Sequence, residues 1–101
     1  MDTYWLSFRI ADTASYERRY EALISAIGQV ADQSCWWFET TSFYLFQSEH
    51  DIDAIAAHIG ASINQSLDLV VIGKTDYKTG RVVGRCDDGD IFKLVPFMKK
   101  A

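Results

Sequence analysis

The chain has 101 residues, of which 49% are hydrophobic, 24% charged and 14% aromatic, and its formal net charge is −4. This is the length and composition of one globular domain, and it excludes a disordered chain, which would be poorer in aromatics. No apolar run reaches the roughly 20 residues of a membrane span, and the opening MDTYWLSFRI lacks a basic n-region and a cleavage pattern, so neither a membrane partner nor a signal peptide is expected.

Residues 3–10, TYWLSFRI, alternate as a strand, with Tyr4, Leu6, Phe8 and Ile10 on one face and Trp5, Ser7 and Arg9 on the other. Over 13–30 the period changes. Tyr16, Tyr20, Leu23, Ile24, Ile27 and Val30 make the stripe of an amphipathic helix, with Asp12 or Thr13 placed to cap its start. Residues 35–39, CWWFE, and 43–48, FYLFQS, read as a hairpin joined by Thr40, Thr41 and Ser42.

Ser48 then reads as the N-cap of a second helix, with Asp51 as the acidic partner of an imperfect capping box. Ile52, Ile55, Ala56, Ile59 and Ile63 give that helix its stripe. LDLVVIG, 67–73, is a continuous apolar run suited to a buried central strand. KTDYKTG is a polar loop, and RVVGR, 81–85, a short strand with basic ends. CDDGD reads as a tight acidic turn, and Pro96 argues against one long regular element in the tail. The order β-α-β-β-α-β plus a short strand predicts a single α+β domain over 1–101. Its expected form is a ferredoxin-like antiparallel sheet with both helices on one face. The other face is left for twofold association.

The element order, the length near 100 residues and the SFRIAD-to-helix junction resemble a known group. It comprises the small ferredoxin-like subunit of the CRISPR spacer-integration complex and its relatives, the virulence-associated D-type toxins. There the first strand ends in a Tyr-Asp-Ile-like triplet before an Arg-rich helix. Here the place reads Phe8-Arg9-Ile10, followed by Tyr16, Arg18, Arg19 and Tyr20, and the resemblance covers roughly residues 3–85. It implies a homodimer whose C-terminal strand, here 81–85, crosses to or lines up with the partner's sheet. Some members are described as metal-dependent nucleases that use the strand-one aspartate. Arg9 stands at that place, and arginine neither binds Mg²⁺ nor acts as a general base at neutral pH.

The expectation is therefore a non-catalytic, cofactor-free, homodimeric binding or assembly protein. A nuclease in which Asp12 holds Mg²⁺ is the alternative, and a metabolite-binding regulatory domain a second. The expected working surfaces are the end of the first strand (Ser7, Arg9, Asp12, Arg18 and Arg19) and the basic segment (Lys74, Lys78, Arg81 and Arg85). Nucleic acid is one partner for that segment, although the net negative charge disfavours it at long range. Trp36, Trp37 and Phe43 are candidate interface anchors, with base stacking as the other use of the two tryptophans.

Other residue groups point to structure. Glu49, His50, Asp51 and Asp53 fan outward from one helical turn and suit the helix dipole better than a metal. Asp87, Asp88 and Asp90 lack the terminal Glu of a calcium loop. His50 and His58, eight residues apart, supply no base for a nucleophile. Cys35 and Cys86 are too few for a disulfide scaffold and read as reduced, mostly buried thiols of a cytoplasmic protein.

Overall fold

The computed structural model describes every residue except Tyr77, and only the backbone of Asp90 and Leu94. Tyr77 belongs to the loop expected at 74–80, and that position lies outside the described residues. The elements are β1 (Asp2–Arg9), α1 (Tyr16–Val30), β2 (Trp36–Trp37), β3 (Phe43–Ser48), α2 (Ile52–Ser62), β4 (Leu69–Lys74), β5 (Gly80–Gly84), α3 (Asp90–Leu94) and β6 (Met98–Lys100). They form a small α+β fold around a six-stranded sheet of order β2-β3-β1-β4-β5-β6.

The sheet is mixed, which corrects the antiparallel expectation. The pairs β2 with β3, β3 with β1, β1 with β4 and β4 with β5 are antiparallel, but β6 runs parallel to β5. The reason lies in residues 85–97, which carry α3. A connection of a dozen or more residues containing a helix returns the chain in its original direction, as a tight hairpin cannot. Within the chain, β5 pairs with β4 on one side and β6 on the other.

The period-2 pattern of β1 sets the layers. Tyr4, Leu6, Phe8 and Ile10 are buried in one cluster with Phe46 of β3, Val70 and Ile72 of β4, Leu23 and Ile27 of α1, and Ile55 and Ile59 of α2. Each fully buried aliphatic side chain contributes about 1.5–3 kcal/mol, against about 1 kcal/mol for a helix cap. Burial therefore decides where the helices sit. On the opposite face Trp5 lies over its cross-strand neighbour Gly73, where an added Cβ would overlap the indole ring.

The caps differ from expectation. Asp51, not Ser48, caps α2, its carboxylate accepting from Ala54 N at 2.8 Å. Ser48 is buried and donates to the Val30 carbonyl at 2.6 Å, tying β3 to the end of α1. The start of α1 lies at Ser15, and Asp12 is exposed and three residues outside it, so Asp12 is not its cap. Cys35 is exposed and Cys86 half-buried, which corrects the buried-thiol reading: Cys35 lies just before the edge strand β2 and Cys86 in the connection after β5.

Candidate functional site

The expected cluster at the end of β1 divides into three places. Ser7 and Arg9 are exposed at odd positions of β1, on the face that α1 and α2 do not cover. Asp12 and Arg18 line an open cleft of about 560 Å³ with Thr13, Ala14, Ser15, Tyr16 and Glu17. Arg19 is only 6% exposed, and Asp68 is fully buried against it.

That burial removes Arg19 from the set of binding residues. Its guanidinium pairs with the Asp68 carboxylate, donates to Thr13 Oγ1 and reaches the Ala11 carbonyl at 3.1 Å. Its Nε donates to Ser15 Oγ at 2.8 Å, holding the first turn of α1. Asp68 also accepts from Ala11 N and Asn64 N, each at 2.9 Å. Burial alone would raise the Asp68 pKa. The Arg19 hydrogen bond, the two backbone donors and the arginine charge outweigh it, so the carboxyl is held below its ordinary value. The Asp68 carbonyl accepts from Arg85 N at 2.7 Å. Beside it Gly84 has φ +97, and a Cβ there would overlap that carbonyl oxygen. One carboxylate and its own backbone thus join the ends of β1, α1, β4 and β5. Sequence reasoning missed Asp68 because it lies within LDLVVIG. The available signal was a lone carboxylate in an otherwise apolar run.

The basic segment is largely neutralised. Arg81 Nε pairs with Asp53 at 2.8 Å, Arg85 Nε with Asp87 at 3.2 Å, and Lys74 Nζ with Asp2 and Asp76 at 3.5 and 3.8 Å. The Asp2 carboxylate raises the Lys74 pKa against the opposing effect of burial, with a lesser contribution from Asp76. Lys78 donates its backbone N–H to Asp76 at 3.2 Å. Lys74, Arg81 and Arg85 are therefore engaged within the fold and do not present an open cationic stripe.

The aromatic residues divide by face. Trp36 pairs in register with buried Phe46 and packs against the core, so it is a core-flanking ring rather than an outward anchor. Trp37 pairs with Leu45 on the other face, is 40% exposed, and meets Phe43 edge-to-face at 6.2 Å. Phe38, overlooked in the sequence, is 49% exposed. It stacks on Tyr44 at 5.0 Å and meets Trp36 edge-on at 5.2 Å. From Tyr44 the ring contacts continue through Phe8 and Tyr20 to Tyr16 on α1. Burial raises the Tyr44 pKa, with a smaller contribution from Tyr20.

Among the described residues, no three His, Cys, Asp or Glu side chains converge as a metal site. His58 Nε2 lies 2.6 Å from Gln29 Oε1, between the two helices. No described helix is long and apolar enough to cross a membrane. Compared with known proteins, the chain matches no family model, no curated protein and no solved structure.

Proposed function

We propose that this chain is a ferredoxin-like, homodimeric binding or assembly domain that acts without catalysis, and that the sheet face opposite α1 and α2 is its self-association surface. The run β2-β3-β1-β4, antiparallel throughout, supports the ferredoxin-like reading, with β5, α3 and β6 as an extension. The observation that carries the dimer is the apolar character of the face opposite α1 and α2. Trp5, Phe43, Leu45, Leu69 and Val71 lie there side by side on β1, β3 and β4, all partly exposed. Contiguous apolar surface on a small domain marks an interface. A twofold axis would cover it with its own copy.

The two ends of the sheet fit this arrangement. The β6 edge carries exposed Lys99 and Lys100, the usual guard against edge-to-edge pairing. On the central face the apolar residues stand with exposed Ser7 and, at one end beside Leu69, Arg9. Sedimentation equilibrium of the wild-type chain at micromolar concentration should give a dimer. Leu45→Asp, which places a charge at the centre of the face, should shift it to monomer while leaving the far-ultraviolet circular dichroism unchanged. A wild-type chain that stays monomeric at that concentration overturns the reading.

A further inference from the structure

We propose that the pocket at the β2 edge takes a cationic side chain, the guanidinium or ammonium group of an Arg- or Lys-bearing protein segment. Trp36, Trp37, Phe38 and Glu39 line this cavity, whose volume is about 270 Å³. Ligand pockets for whole small molecules start near roughly 300 Å³, so this one suits a single side chain. Aromatic faces attract a cation through the ring quadrupole, and a carboxylate adds a charge-assisted hydrogen bond. The pocket wall combines both.

The wall is also held in place. Phe38 is braced by Tyr44 behind it and Trp36 beside it. A cation therefore meets rings already fixed in position, which lowers the ordering cost of binding. The one charged group in the pocket wall is the Glu39 carboxylate. No Lys or Arg occurs between Arg19 and Lys74. Glu39 forms no ion pair among the described residues, whereas Lys74, Arg81 and Arg85 all do. An anionic ligand would be repelled here. A second copy placed symmetrically on the pocket would set Glu39 against its own counterpart.

The inference does not depend on the dimer. Its test is a titration of intrinsic tryptophan fluorescence, which Trp36 and Trp37 report from the pocket wall. The probe is a capped hexapeptide alternating Arg and Ala, with a Glu-Ala peptide and a uridine oligonucleotide as comparisons. The Arg peptide should bind saturably and more weakly at high salt, and neither comparison should compete. Phe38→Ala and Glu39→Gln should each weaken binding about 3–10-fold, as expected for a partly desolvated cation–π contact. Glu39→Gln is isosteric and exposed, so it keeps the test valid if the aromatic variant is perturbed. The Leu45→Asp monomer should bind the peptide as the wild type does.

The proposal is overturned by no binding, by equal response to the Glu-Ala peptide, or by tighter binding of the oligonucleotide. Unchanged affinity in both variants also overturns it. So does a Phe38→Ala chain that loses dimerisation, because the pocket would then be covered by a second copy.

Discussion

The junction of Arg19 with Asp68 and the β2 edge are two places where charged groups meet aromatic or apolar surroundings, and they are built in opposite ways. At the junction, every polar atom of two buried ionised side chains finds a partner inside the chain. At the edge, Trp36, Trp37 and Phe38 line an open pocket together with the Glu39 carboxylate. Buried charge is tolerated only when paired and hydrogen-bonded. The junction therefore consumes its functional groups in holding four elements together, while the edge keeps its groups for something outside the chain. An arginine beside the end of the first strand is thus no guide to a binding site until its burial is known.

The largest expected effect breaks the buried side of this comparison. Asp68→Ala leaves the Arg19 guanidinium buried without its counter-charge and should cost about 3–5 kcal/mol in chemical denaturation. Replacing both partners with apolar residues should recover part of that loss. The junction also predicts an acid dependence. The folded Asp68 carboxyl is held below its ordinary value, so its contribution is complete above about pH 4 and is lost as the pH falls through the lowered folded value. Asp68→Asn should flatten that acid limb of the stability curve. An equally steep limb in the variant would assign the acid dependence elsewhere.

Next in size is Gly84→Ala. It places a Cβ at φ +97, against the Asp68 carbonyl, and should cost about 1–3 kcal/mol with no change in peptide binding at the edge. A neutral result would mean that the β5 end moves independently of the junction. The smallest effect is Arg81→Gln, which removes a pair with the exposed Asp53. Such surface pairs contribute about 0–1 kcal/mol. A loss near that of Asp68→Ala would remove the contrast between buried and exposed pairing.

The sequence made the elements legible where periodicity was strong. β1, α1, β3, α2 and β4 appear within a few residues of their expected bounds, because alternating or helical apolar patterns are local properties of the chain. It was weaker wherever partners are distant in sequence. Ser48 looks like a cap beside Glu49 but is taken by Val30, eighteen residues earlier. The residues 85–97 carry no strong period, so neither α3 nor the parallel return of β6 could be read. Among the candidate site residues, strand alternation put Trp36 and Trp37 on opposite faces, and the pairing of β2 with β3 decided that Trp37 is the outward one. The inward use of Arg19 did not, because its partner lies forty-nine residues away.

By itself, the sequence determined the class of the fold, its two layers and the excess of aromatic surface, since composition and hydrophobic period act over a few residues at a time. Tertiary structure alone decided which charges are neutralised and which remain open. That outcome depends on loops converging from opposite ends of the chain. Arg19 and the basic 74–85 segment, prominent in the sequence, prove to be engaged within the fold. Glu39, which forms no ion pair among the described residues, stands instead beside the rings of β2.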